Sequence, residues 1–344
     1  MDQQIHPYNP TLSAHFINLA LAAEAQCAWE TSEPQHEQLE NPFAVPLEYY
    51  EKLFATSNLS GESVKAEVDG PIQEMYDFIG SIRLGQQPVA DYADIDEEVS
   101  LSNVQDFDAM LKLMTHYSRR WTEGVANTVR YSGANLLMGF ALRSNADGHG
   151  VIVLRGTMTA DEWLNNINYR LRPFLPAEPD CGDVHLGFRD IYKGLRGRYR
   201  ELAAEFEPAQ NLYLVGHSLG AAVSKLGAFD LVSREPTRRS TLQAYLFAPP
   251  RIGDKIFTQQ YDERVGTSYR IVNVCDIVPY IPFEEIGEVV DLLGYPYADT
   301  KGEIAYVHQA GNPIANHVAS YHIATQQQVP GVMDVSSPRR VPLV

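Results

Sequence analysis

The stretch from Asn211 to Ala222, Asn-Leu-Tyr-Leu-Val-Gly-His-Ser-Leu-Gly-Ala-Ala, constrains the fold of this chain more than any other. The apolar run Leu212 to Val215 has the length and bounds of a buried strand, and the small residues after Gly220 suit a helix. Gly216 and Gly220 stand two residues either side of Ser218. At those positions only a hydrogen side chain lets a strand and the following helix approach closely enough for a sharp turn. Such a turn exposes the serine hydroxyl at the carboxyl end of the sheet and aims the backbone N–H groups of the helix N-terminus at the same point. A Gly-x-Ser-x-Gly pentapeptide also arises by chance. The apolar strand before it and the alanine-rich helix after it, with Ala221, Ala222 and Ala228, favour the strained turn.

The rest of the 344-residue chain supplies the layers such a turn needs. Apolar runs at Leu136 to Leu142, Val151 to Leu154, Leu242 to Ala248 and Tyr269 to Val274 read as strands. The polar segment Arg143 to Gly150 between the first two suggests a hairpin. A long helix from Ile191 to Phe206 precedes the turn, and the helix after it ends near Ser233, before Pro236. Strands alternating with helices imply an α/β fold with a mostly parallel sheet covered on both faces. Residues 1 to 130 read as a helical extension packed on this core, 131 to 330 as the core itself, and 331 to 344 as a tail. In the extension, apolar residues at helical spacing mark His15 to Glu30, and shorter amphipathic runs cover Pro42 to Leu53 and Ile72 to Ile82. Val104 to Trp121 carries one apolar stripe, with Phe107, Met110, Leu111, Met114 and Tyr117, expected to pack on the sheet.

A net charge of −17 and an isoelectric point near 5.0 argue against nucleic acid and anionic membrane surfaces as partners. Cys27, Cys181 and Cys275 cannot all pair, and no cysteine or histidine spacing suggests a metal site. No Lys or Arg precedes Lys52, so the apolar stretch from Phe16 to Ala25 lacks the basic flank of a secretory leader. It is also too short to be a transmembrane segment, which leaves the cytoplasm as the default compartment and non-classical secretion as the alternative.

A serine hydroxyl is a weak nucleophile at neutral pH. It needs a histidine to take its proton and a carboxylate to orient that histidine. Asp276 follows directly on the strand Arg270 to Cys275, at the edge where α/β sites gather, and is preferred as the acid over Asp254, which reads as a helix cap. His317 is preferred as the base, ahead of His308 and His322, because it opens a final helical segment after a long loop. His217 neighbours Ser218 on a tight turn, where adjacent side chains point apart, and is assigned a structural role. Two donors must meet a developing oxyanion. Leu219 offers the N–H after the nucleophile, and Thr157, at the end of Arg155-Gly-Thr, is placed to supply the other.

The set Arg155-Gly-Thr157, Glu162-Trp163, His185-Leu-Gly-Phe188, Gly216-His-Ser-Leu-Gly220, Ala248-Pro-Pro-Arg-Ile-Gly253, Asp276-Ile-Val-Pro279 and His317 to Tyr321 resembles the class 3 lipases, the fungal-lipase-like branch of the α/β-hydrolases. The resemblance implies an α/β-hydrolase core, a triad of Ser218, Asp276 and His317, an oxyanion hole of Thr157 and Leu219, and no cofactor. It also implies a lid containing Met158, Trp163, Leu164 and Ile167, whose apolar face would turn outward at a lipid–water interface. The implied activity is hydrolysis of acylglycerols or other lipid esters through an acyl-enzyme, with phospholipase A1, an esterase for soluble esters and a non-catalytic regulatory protein as alternatives. Glu162 stands where the family usually carries Asp or Asn, and the motifs do not reach residues 1 to 130.

Overall fold

A computed structural model describes residues 6–32, 39, 42–55, 57, 59–84, 136–156, 171–174, 181–281 and 297–326, with the backbone of 333–334. In chain order the strands are β1 (Tyr76–Leu84), β2 (Leu136–Ser144), β3 (Gly150–Leu154), β4 (Leu171–Pro173), β5 (Asp183–His185), β6 (Leu212–His217), β7 (Leu242–Phe247), β8 (Gly253–Asp254), β9 (Ser268–Asn273), β10 (Tyr297–Ala298), β11 (Glu303–Tyr306) and β12 (Met333–Asp334). Among the described residues the main sheet has the order β1-β2-β3-β6-β7-β9-β11-β12. Its central strands, β3, β6, β7, β9 and β11, run parallel. The antiparallel pairs β1 with β2, β2 with β3 and β11 with β12 flank them. Strands β4, β5, β8 and β10 make a second, smaller sheet.

Side chains on successive residues of a strand point to opposite faces, and here both faces are buried. On one face Leu214 and Leu246 join a core with Leu195, Tyr199 and Leu226. Those last three come from the helices α4 (Leu186–Ala204) and α5 (Leu219–Arg234). On the other face Tyr213, Val215, Tyr245 and Phe247 pack with Phe16 of α1 (Pro10–Ser32). Every residue of α1 from Phe16 to Cys27 is buried, not one stripe alone. The helix lies between the sheet and an outer layer of α2 (Leu47–Leu53), α3 (Gly61–Glu67) and, after α6 (Lys255–Arg264) and α7 (Pro313–His317), α8 (Ala319–Gln326). Its run of alanines allows this approach on all sides, as expected of a helix that is apolar all round.

The hairpin, the mostly parallel sheet and the helices either side of it stand as the sequence predicts. In the extension, His15 to Glu30 is helical within α1 as expected, but a later run is not. The Ile72 to Ile82 run, expected as helix, contributes β1, which pairs with β2 from Tyr76 to Leu84. Register shifts between Phe78 and Gly80 and between Ile82 and Arg83 break its alternation, so periodicity alone misread it. Pro46 splits the Pro42 to Leu53 run into a short 3₁₀ turn and α2. The expected helix at Val104 to Trp121 lies outside the described residues. Among the described residues, no helix is long and apolar enough to cross a membrane.

Candidate active site

β6 ends at His217 and α5 begins at Leu219, leaving Ser218 as the hinge, with φ +55° and ψ −120°. A non-glycine residue held at positive φ stores strain that the surroundings must offset. The two glycines make this possible. A Cβ at Gly216 would collide with the Gly220 carbonyl, and one at Gly220 would collide with the carbonyl oxygens of Leu154 and Arg155. The Ser218 N–H is held by the Phe247 carbonyl at 2.9 Å, fixing the turn against β7.

His317 closes α7, whose N-cap, Asn312, accepts from the Ala315 N–H at 2.9 Å. Its Nε2 lies 2.8 Å from Ser218 Oγ and its Nδ1 2.8 Å from Asp276 Oδ2. A carboxylate on Nδ1 holds the proton there, which leaves the Nε2 lone pair facing the serine hydroxyl. Asp276 is fixed in turn. Its Oδ1 accepts from the Val278 N–H at 3.0 Å, and its Oδ2 accepts from the Tyr321 hydroxyl on α8 at 2.9 Å. All three side chains are buried, with Ser218 only 1% exposed.

The structure thus brings together Ser218, Asp276 and His317, and separates their competitors. His308 Nδ1 bonds Ser320 Oγ at 2.9 Å, and His322 Nδ1 bonds Asn18 Oδ1 at 2.7 Å. Asp254 caps α6, accepting from the Phe257 N–H at 2.7 Å. Leu219 is the first residue of α5, so its N–H has no acceptor within the helix. Thr157, Met158, Trp163, Leu164 and Ile167 lie outside the described residues.

Three residues that sequence reasoning passed over also build the site. Asn273, at the end of β9, accepts from the N–H groups of Cys275 (3.2 Å) and His308 (3.1 Å) and donates to the carbonyls of His308 (2.9 Å) and Asn316 (3.1 Å). It clamps the loop of the acid to the loop of the base. Asn316 adds a bond to the Cys275 carbonyl at 3.0 Å. The third is Glu24, on α1 and 4% exposed, whose Oε1 lies 2.7 Å from His217 Nδ1 and accepts the Gly156 N–H at 3.0 Å. The one carboxylate inside the apolar run Phe16 to Cys27 was a signal for it, since a charge there must find partners. Burial opposes a charge on His217, but Glu24, the His317 carbonyl and Asp276 together hold its pKa above the ordinary histidine value.

A parallel sheet carrying a strained serine turn, with an imidazole and a carboxylate in line behind it, defines an α/β-hydrolase with a serine triad geometry. Residues 151–286 match the family model described as lipase (class 3). Phospholipase A1-II 1 of Oryza sativa subsp. indica is 28% identical over 193 residues, covering 48% of this chain and 47% of the relative. A lipase of Rhizopus niveus is 30% identical over 154 residues, covering 43% and 38% respectively. This chain therefore spans about half the length, or less, of the curated relatives it matches. Among solved structures, lipase II from Rhizopus niveus is 21% identical with a TM-score of 0.44, over 59% of this chain and 83% of that one.

Proposed function

We propose that this protein is a serine carboxylester hydrolase of the triacylglycerol lipase type, acting without a cofactor. The observation that carries the reading is the unbroken hydrogen-bonded line from Ser218 Oγ through His317 to Asp276, each step 2.8 Å. In this mechanism Ser218 Oγ attacks the ester carbonyl carbon while its proton passes to His317 Nε2. The tetrahedral oxyanion takes hydrogen bonds from the Leu219 N–H and from Thr157. Collapse expels the alcohol, protonated by His317, and leaves an acyl-Ser218. Water, deprotonated by His317, then attacks the acyl carbon and releases the acid. Asp276 stays ionised and stabilises the imidazolium. The proposal includes the division at residues 130 and 330 and a lid carrying Met158, Trp163, Leu164 and Ile167, which meets the lipid–water interface.

Phospholipase A1 activity is the second reading, favoured by the plant relatives that carry that name. Release of fatty acid from emulsified triacylglycerol, from phosphatidylcholine and from p-nitrophenyl esters, each with Ser218→Ala alongside, separates the readings. The triacylglycerol is expected to be cleaved fastest, with a jump in rate at the solubility limit. Fatty acid released only from the sn-1 position of the phospholipid would replace the first reading with the second. Activity that survives Ser218→Ala would remove both.

A further inference from the structure

We infer that Glu24 and His217 form a second carboxylate–imidazole pair, set behind the triad, that positions the base and the oxyanion loop. The inference rests on the reading of Ser218 and His317 given above. His217 Nε2 lies 2.8 Å from the backbone carbonyl of His317. A carbonyl only accepts, so Nε2 carries a proton. On the other side of the ring, Nδ1 faces the Glu24 Oε1 that already accepts the Gly156 N–H. With both outer bonds fixed in direction, the proton between Nδ1 and Oε1 makes the pair an imidazolium–carboxylate in effect.

The arrangement reaches three segments far apart in the chain. Glu24 comes from α1, outside the residues 151–286 that match the family model. From there the pair holds Gly156, the residue before the proposed oxyanion donor Thr157, and the carbonyl of the proposed base. Gly156 is shaped to it: an added Cβ would stand 2.7 Å from Glu24 Oε1 and 3.0 Å from His217 Nδ1. If the pair served packing alone, apolar side chains of the same volume would serve as well. What they could not do is fix a backbone N–H and a backbone carbonyl on either side of the nucleophile.

The pair also lies against the base. The rings of His217 and His317 are 4.9 Å apart, and the other groups facing His217 are Asp276, near enough to act on its charge, and Tyr321, its ring 5.8 Å away.

The test is Glu24→Gln and His217→Gln in the full chain, with thermal unfolding to follow the fold and a phosphonate ester to count reactive serines. Glu24→Gln is expected to lower kcat per reactive serine on p-nitrophenyl butyrate by roughly 10- to 100-fold, with KM within about twofold. His217→Gln, whose amide still reaches the His317 carbonyl, should lose less than His217→Leu. Variants that only unfold more easily, while their folded fraction turns over at the wild-type rate, overturn the inference. A wild-type chain with no Ser218-dependent esterase activity instead overturns the reading on which it rests.

Discussion

Ser218 holds a backbone geometry that only its neighbours permit, and the cost of removing that permission is calculable in direction. Gly220→Ala forces a methyl group against the carbonyls of Leu154 and Arg155. The turn or the helix must move, which overpacking data put at about 1 to 3 kcal/mol or more. The expected result is a lower unfolding midpoint in urea together with loss of esterase activity, and an active, equally stable variant would contradict it. Tyr321 donates to the oxygen of Asp276 that also meets His317. Tyr321→Phe should keep the fold and lower kcat roughly tenfold, in line with one hydrogen bond to a charged group; an unchanged kcat would show that the other contacts suffice. At this scale the sequence was legible where chemistry demands a residue type: a serine between glycines, an acid after a strand, a histidine downstream. Asn273 and Asn316 were not legible, because their roles come from bonds to backbone groups that no spacing reveals; Glu24 was signalled only as a lone charge in an apolar run, with its partners unnamed.

The elements are held by pairs as well as by packing. Asp230 of α5, almost fully buried, accepts from the Tyr192 hydroxyl at 2.7 Å and from the Arg200 guanidinium, both on α4. Replacing it with Ala leaves a buried phenol and a partly buried guanidinium without their acceptor. The expected loss is about 2 to 3 kcal/mol of stability, discounted for the exposed part of Arg200, with kcat per folded molecule unchanged. A comparable fall in kcat would mean that α4 and α5 position the turn directly. Helices α4 and α5 and strands β6, β7 and β9 were readable in outline because each is a long periodic or uniformly apolar segment. β1 was not, because its bulges erase the two-residue period. α1 was readable as a helix but not as a buried one, since its alanines suit a surface and a core equally.

For the whole molecule, burial of histidines sets a limit at low pH. Burial lowers the pKa of His15 to about 4, with the charge of His149 adding to it, and lowers His185 to about 3 and His322 to about 4. The unfolded chain takes up these protons from about pH 6.5 downward, while the folded chain refuses them until much lower. Stability is therefore full above pH 6.5 and falls as pH drops toward 4, with the His185 contribution falling on toward 3. His217 has the opposite sign: its pKa is raised, so its contribution is full below 6.5 and fades as pH rises past that raised value. The unfolding free energy from urea titrations should decline by several kcal/mol in total between pH 7 and 4, and His322→Gln should make the decline shallower. A flat profile would contradict the burial of these rings. The central claim is that an imidazole and a carboxylate far along the chain activate Ser218, and covalent capture tests it most directly. A phosphonate ester followed by peptide mass spectrometry should label Ser218 alone, at one equivalent, with labelling at least a hundredfold slower in His317→Ala, on the order expected for loss of a general base. A label on any other residue, or labelling of Ser218 at the wild-type rate in His317→Ala, would contradict the account.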